Sequence, residues 1–150
     1  MEHTNDKSRG QELVFSTFKI GVVSCGINIL KIQEINKRFE VTKVPHAEPC
    51  IKGILNLRGQ IVTVVDLGEK LGLASAGNHK DNRSIIVNFQ GEQIGLSVDR
   101  IEDFVTAVPE DIDPPPSNIS QADGKYFQGV FKTESQLIGN LDIDQVLKNR

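Results

Sequence analysis

A weak internal repeat is the feature that most constrains how this chain of 150 residues can fold. The pentad V-T-K-V-P at 41–45 recurs as V-T-A-V-P at 105–109, and each copy follows an apolar segment. Farther along the chain, Gly53 has a counterpart in Gly129 and Asp66 has one in Asp142, and the two pairs share the same spacing. The order of strand, pentad, Gly-containing strand, second strand and Asp-capped helix therefore occurs twice, which predicts two similar β-units.

The most informative single segment is the stretch 51–73. Its apolar runs Ile54–Leu57 and Ile61–Val65 flank the polar break R-G-Q at 58–60. Two apolar runs joined by a short break with glycine predict a β-hairpin, with Gly59 where a permissive backbone is needed. The sequence therefore places an arginine, Arg58, at the rim of a paired apolar sheet.

Two helices are predicted, and both are short. Asp66 followed by Glu69 is typical of a capping box, so a helix is expected over 67–71. A second helix is expected over 143–148. The remaining signals are strand-like and are found at 13–20, 22–30, 54–57, 61–65, 84–89, 93–98, 127–131 and 136–141. Many short strands with glycine-rich turns favour an all-β barrel or sandwich.

The domain organisation follows from the repeat. We expect a flexible tail over 1–11 and a single domain over 12–150, made of one β-unit at about 12–75 and a second at about 82–148. An exchange of strands between the two units is left open. Residues 68–82 are predicted to join the units. The segment 111–125 is predicted to be a surface insertion, since it contains three prolines at 114–116, followed by polar loop residues.

Composition excludes several classes of function. The net charge of −3 gives no basic surface for a phosphate backbone, so nucleic acid is not expected as a partner. No apolar stretch approaches the roughly 20 residues of a membrane-spanning helix, and the first 12 residues are polar, so we expect a cytoplasmic protein without membrane insertion. Cys25 and Cys50 form no C-x-x-C pair, which favours reduced, buried thiols over a metal site.

The sequence contains no catalytic motif for phosphate binding, nucleophilic catalysis or zinc proteolysis. The acidic residues Glu110, Asp111 and Asp113 stand beside the proline segment, where they could bind a divalent cation. Solubility explains such a cluster better. We therefore expect no enzyme, no cofactor and no metal, with a small β-barrel protein binding a ligand or metal at this acidic loop as the rival interpretation.

The order of motifs resembles the CheW-type coupling proteins of bacterial chemotaxis, from about Gln11 to Lys148. The fragments that carry this resemblance are G-I-N-I-L-K-I-Q-E-I at 26–35, the pentad at 41–45, I-K-G at 51–53, N-L-R-G at 56–59, V-D-L at 65–67, G-L-S-V-D at 95–99, G-V at 129–130 and L-D-I at 141–143. Each fragment alone is weak evidence for the family. The order and spacing of all the fragments together are specific to it. The chain departs from the family pattern at Cys25, where a large ring is usual, and at Gly139 and Asn140, which are expected to break an apolar strand.

The resemblance implies two five-stranded, SH3-like β-barrels packed around a shared hydrophobic core. It also implies a non-catalytic adaptor that joins chemoreceptor tips to the regulatory domain of the histidine kinase CheA, and that reaches membrane receptor arrays through these partners. A coupler of another chemosensory pathway, controlling pili or gene expression, remains an alternative.

The resemblance also implies which residues meet the partners. Arg58 matches a receptor-binding position, and Glu34 matches an acidic residue expected to pair with it. The full set of expected receptor-binding residues is Ile32, Glu34, Asn56, Leu57, Arg58 and Gly59. Ile27 and Leu30 match apolar positions of the first barrel that are expected to face the kinase.

Overall fold

The structure is a computed structural model that describes residues 11–37, 41–74, 81–119 and 122–148. The strands are β1 (Leu13–Ile20), β2 (Val23–Asn28), β3 (Ile32–Lys37), β4 (Ile51–Leu57), β5 (Gln60–Asp66), β6 (Arg83–Phe89), β7 (Glu92–Val98), β8 (Arg100–Ala107), β9 (Asn118–Ile119), β10 (Ala122–Asp123), β11 (Phe127–Lys132) and β12 (Leu137–Leu141). The helices are α1 (Leu67–Leu71) and α2 (Ile143–Leu147), with 3-10 turns at Ile29–Lys31, Pro109–Asp111 and Gly124–Tyr126. In this part of the chain, no helix is long and apolar enough to cross a lipid bilayer.

Ten of the strands form two five-stranded sheets, each curved into a small SH3-like barrel, and β9 pairs with β10 in a separate two-stranded sheet. The first barrel has the strand order β3-β6-β7-β5-β4, and the second has the order β8-β1-β2-β12-β11. Each barrel contains one parallel pair, β5 with β7 in the first and β12 with β2 in the second. The predicted fold class is confirmed. Each barrel takes its central hairpin, β6-β7 or β1-β2, from the other half of the chain, so strands are exchanged between the units.

The pairing registers of the strands show that the two barrels are structural repeats of each other. Thr17 pairs with Gly26 in the hairpin β1-β2 as Ile86 pairs with Gly95 in the hairpin β6-β7, so these hairpins match at one constant spacing. The hairpins β4-β5 and β11-β12 match at the spacing that the glycines predicted. In them Gly53 opposes Val64 as Gly129 opposes Asn140.

The pentads are not equivalent in the fold, which corrects the first part of the predicted repeat. Thr42 bridges β4 at Ile54, whereas the second pentad begins inside β8 and pairs with β1. The residue that bridges β11 as Thr42 bridges β4 is Asp113. A Cβ at Gly53 would lie 2.2 Å from the Thr42 carbonyl oxygen, and one at Gly129 would lie 2.7 Å from that of Asp113. Glycine at both sites therefore permits the bridging segment to cross the strand.

Three apolar clusters hold the molecule together. One fills the first barrel and includes Leu57 and Ile86, and another fills the second barrel with Phe15, Phe131 and Ile138. The largest cluster combines side chains from both sheets and from α1 and α2. This is the shared core that the resemblance implied.

The local sequence signals predicted the positions of both helices correctly. The Asp66 side chain accepts a hydrogen bond from the Glu69 amide, as the capping pattern predicted, and Gly72 ends α1 with a φ of 78°. Asp142 caps α2 in the same way through the amide of Gln145. Part of the predicted linker 68–82 belongs to α1, and residues 75–80 lie outside the described residues.

Two expectations about strands were wrong. Gly139 and Asn140 do not break a strand but lie within β12, where they pair with β2. The glycine is required there because a Cβ would lie 2.8 Å from the Phe127 ring. The predicted strand 22–30 ends at Asn28, because the Asn28 side chain accepts a hydrogen bond from the Leu30 amide and starts a 3-10 turn.

Candidate functional site

The turn between β4 and β5 presents Arg58 at the rim of the first barrel. Arg58 and Gly59 have φ values of 52° and 83°, and positive values at both positions are typical of a type I′ turn. The Asn56 side-chain oxygen accepts a hydrogen bond of 2.9 Å from the Gly59 amide. These two features hold the tip rigidly and leave the Arg58 side chain 72% exposed.

Arg58 pairs with Glu34 through two hydrogen bonds. The distances are 2.5 Å from Nη1 to Oε2 and 3.1 Å from Nη2 to Oε1, which is the bidentate geometry of an arginine with a carboxylate. The pairing expected from the resemblance is therefore present. Glu34 lies on β3 and Arg58 follows β4, and these strands are opposite edges of the sheet, so the ion pair joins the two edges of the barrel.

Electrostatics at this pair favour the ionised carboxylate. The hydrogen bond from Arg58 is the main reason why the pKa of Glu34 lies below its ordinary value of 4.5. Arg58 is mostly exposed and Glu34 is partly exposed, so salt screens their attraction. The pair orients the guanidinium more than it stabilises the fold.

The segment that leads into β3 carries the other exposed candidates. Leu30 lies in the 3-10 turn and is 86% exposed, whereas Ile32, at the start of β3, is half-buried against the shared core. Leu30, Ile32 and Glu34 thus follow one another along a single short segment next to the Arg58 turn.

Two residues expected at partner surfaces are buried instead. Ile27 has no exposed area and lies on β2, which belongs to the second barrel and not the first. Leu57 is buried inside the first barrel. Neither side chain can contact a partner directly in this conformation.

Sequence reasoning missed an apolar residue on the same surface. Ile61 is 62% exposed and pairs in register with Asn56, beside the Arg58 turn. The sequence pattern could have revealed this residue. Side chains alternate along a strand, so Ile61 faces outward when Val62 and Val64 face inward.

Chemically reactive groups are not gathered at this surface. No group of three or more potential metal ligands occurs among the residues the structure describes. Cys25 and Cys50 are free and buried, and burial raises the pKa of the Cys25 thiol to about 12. The arrangement is suited to recognition, with a rigid charged tip beside exposed apolar side chains.

Comparison with known proteins identifies relatives over nearly the whole chain. Residues 15–150 match the family model described as the CheW-like domain. The chemotaxis protein CheW of Rhizobium meliloti (strain 1021) is 30% identical over 137 residues, which cover 91% of this chain and 87% of that protein. The chemotaxis protein CheW of Helicobacter pylori is 32% identical over 136 residues, which cover 91% of this chain and 82% of that protein.

A solved structure agrees with these matches. The crystal structure of the scaffolding protein TtCheW from Thermoanaerobacter tengcongensis superposes with a TM-score of 0.82 at 31% identity. The superposition covers 88% of this chain and 90% of that one. The chain therefore belongs to the family of CheW-like domains, whose members are non-catalytic adaptor proteins.

Proposed function

We propose that this protein is a cytoplasmic adaptor that couples transmembrane chemoreceptors to the histidine kinase CheA. Two relatives are named chemotaxis proteins, and a third is described as a scaffolding protein. The observation that carries the proposal is the Arg58–Glu34 pair, because it fixes a charged group at an exposed rim that is suited to recognition.

The proposed receptor-binding surface consists of Ile32, Glu34, Asn56, Arg58 and Gly59, to which we add Ile61. A guanidinium has five N–H donors, and Glu34 takes two of them. The others can bind acceptors on a helical receptor tip while Glu34 keeps the group in place. Ile61 would supply apolar contact area, and the buried Leu57 would support the turn from below.

The proposed kinase-binding surface is centred on Leu30. This side chain is 86% exposed, next to Ile29, which is 37% exposed. An exposed apolar pair on a short, capped turn is a suitable anchor for another barrel. Ile27 is buried in the shared core and is not part of this proposed surface.

The proposed mechanism is geometric. Only three residues separate Leu30 from Glu34, so the kinase anchor and the receptor ion pair lie on one continuous segment. A displacement of the receptor tip at Arg58 would therefore move this segment, and with it the bound kinase.

The proposal can be tested by co-purification of CheA and chemoreceptors from a chemotactic bacterial lysate. The matched variants are Arg58→Ala and Gln90→Ala, since Gln90 occupies the same position in a turn of the same backbone conformation between β6 and β7. Arg58→Ala should keep the kinase and lose the receptors, whereas Gln90→Ala should keep both. Leu30→Glu should lose the kinase.

Two outcomes would count against the proposal. Recovery of neither partner with the wild-type protein would reject the coupling function. A related kinase and receptors of a pathway other than chemotaxis would instead support the alternative of a coupler for pili or gene expression.

A further inference from the structure

The two barrels differ in one row of residues that crosses each sheet through its parallel strand pair. In the first barrel, the paired residues of this row are Ile86, Gly95, Val64 and Gly53. In the second barrel, the paired residues of the same row are Thr17, Gly26, Asn140 and Gly129. Both glycines are kept, whereas the two apolar side chains of the first barrel are replaced by a threonine and an asparagine.

Asn140 is a buried residue whose side-chain oxygen lacks a partner. It is 7% exposed, and its Oδ1 has no hydrogen-bond partner within the described part of the chain. The hydroxyl of Thr17, in contrast, donates a hydrogen bond to the carbonyl oxygen of Asp103. A buried acceptor without a donor is unfavourable, and this cost is removed when the group returns to water. The second barrel is therefore destabilised at the position where the first barrel has Val64.

The parallel pairing at this row is also shorter in the second barrel. β12 pairs with β2 at two residues, Gly139 with Cys25 and Asn140 with Gly26. β5 pairs with β7 at four residues, over 63–66. A side-chain hydrogen bond from Ser24 to Oε1 of Gln136 adds a further link between β2 and the turn of the hairpin β11-β12. The junction between β12 and β2 is thus held by few backbone pairs and is least favourable at Asn140.

The apolar interior gives the second barrel less support as well. Among the described residues, the cluster inside the first barrel has five buried side chains, of which the hairpin β4-β5 supplies Leu55, Leu57, Val62 and Val64. The cluster inside the second barrel has three, of which the hairpin β11-β12 supplies Phe131 and Ile138. The four side chains packed around those three are only partly buried. Fewer fully buried side chains therefore hold β11-β12 in place than hold β4-β5.

We propose that the hairpin β11-β12 opens away from β2 as a unit while the first barrel stays folded, and that Asn140 sets how often it opens. Proteins open in cooperative segments, and the segments with the least apolar burial open most readily. In the open form the Asn140 side chain is hydrated, and the edge of β2 at Cys25 and Gly26 has lost its neighbour.

The opening has a consequence for binding, because β2 leads directly into the turn that carries Leu30. In the open form β2 keeps β1 as its one paired strand, so the support of the proposed kinase anchor changes between the two forms. This consequence rests on the proposed function of Leu30, whereas the opening itself does not.

The test is hydrogen exchange of the full chain at low concentrations of urea, followed for individual amides by NMR. Relative to their rates in an unfolded chain, the most protected amides of β12 should exchange at least about tenfold faster than those of β5. A factor of ten corresponds to about 1.4 kcal/mol between the two opening reactions. Equal protection of the two strands in the wild-type protein would overturn the proposal.

Asn140→Val gives the second barrel an apolar residue at the position of Val64. Because the unpaired buried acceptor is removed, the amides of β12 should become at least about tenfold more protected. Unchanged protection of β12 in the folded variant would show that Asn140 does not set the opening.

The matched control is Val64→Thr, which places a polar group at the same position of the first barrel. The amides of β5 should lose protection, and those of β12 should keep theirs, because the substitution affects the closed and the open forms alike. Equal losses in both strands would show that β12 exchanges only when the whole chain unfolds, and would overturn the proposal. None of these measurements involves a partner, so a failure of the proposed function would leave their results unchanged.

Discussion

The first barrel contains two hairpin turns that share a backbone conformation and differ in the residue at the tip. The sequences are N-L-R-G-Q at 56–60 and N-F-Q-G-E at 88–92. In both turns the asparagine side chain accepts a hydrogen bond from the glycine amide, and the two central residues have positive φ values. The comparison separates what builds the turn, namely asparagine and glycine, from what the turn displays, namely Arg58 in one case and Gln90 in the other.

The largest expected effect comes from the apolar residue beneath each turn. Leu57→Ala and Phe89→Ala should each lower the free energy of unfolding by about 2 to 5 kcal/mol, because each side chain is buried and its loss leaves a cavity. Urea denaturation measures both. If only one of the two variants loses stability, the apolar residues beneath the two turns do not contribute equally to core packing.

Exchange of charges at the exposed tip should affect binding more than folding. Arg58→Glu should weaken receptor binding by roughly tenfold or more, since a charged contact at an interface is lost and two carboxylates then face each other. Adding Glu34→Arg restores an ion pair but places the arginine on β3. We expect the double variant to regain thermal stability without regaining receptor binding. Full recovery of binding would mean that the pair itself, and not the position of the guanidinium, is recognised.

Asn56 and Asn88 should contribute equally to stability, but only Asn56 should affect receptor binding. Asn56→Ala and Asn88→Ala each remove one hydrogen bond to a turn amide, which is worth about 0.5 to 1.5 kcal/mol. Thermal unfolding should show similar losses. Receptor binding, measured at a temperature where both variants are folded, should fall only for Asn56→Ala.

The smallest effect is a dependence on pH. The pKa of Glu34 is lowered in the folded protein, so the contribution of its ion pair is present above the ordinary value of 4.5 and is lost as the pH falls through the lower, folded value. Receptor binding should therefore be constant from pH 6 to 8 and weaken below about 4.5. Glu34→Gln should abolish this dependence of receptor binding on pH. Gln90, which carries no charge at the same place in its turn, provides the control position.

Sequence reasoning succeeded where structure is local. The hairpin β4-β5 and the helix α1 follow from apolar runs, a glycine turn and a capping aspartate that lie close together in the single segment 51–73. β3 and β8 were not predicted as strands, because both are edge strands with a bulge and carry charged residues, so their apolar alternation is interrupted.

The candidate site was predicted in part for the same reason. The Arg58 turn could be read from its own sequence, and the resemblance supplied Glu34 as its partner across the barrel. The barrel to which Ile27 belongs could not be read, since it depends on which hairpin enters which barrel. That choice is made by the parallel pairings β5-β7 and β12-β2, which join segments far apart along the chain.

The exchange of hairpins has a consequence for fragments of this protein. A cut between residues 74 and 81 would leave β1-β2 with β3-β4-β5 on one piece and β6-β7 with β8-β11-β12 on the other. Neither piece holds all five strands of either barrel. The two pieces can regain the native arrangement only by complementing each other, so the adaptor is a single mechanical body and not two modules that could be inherited or deleted separately.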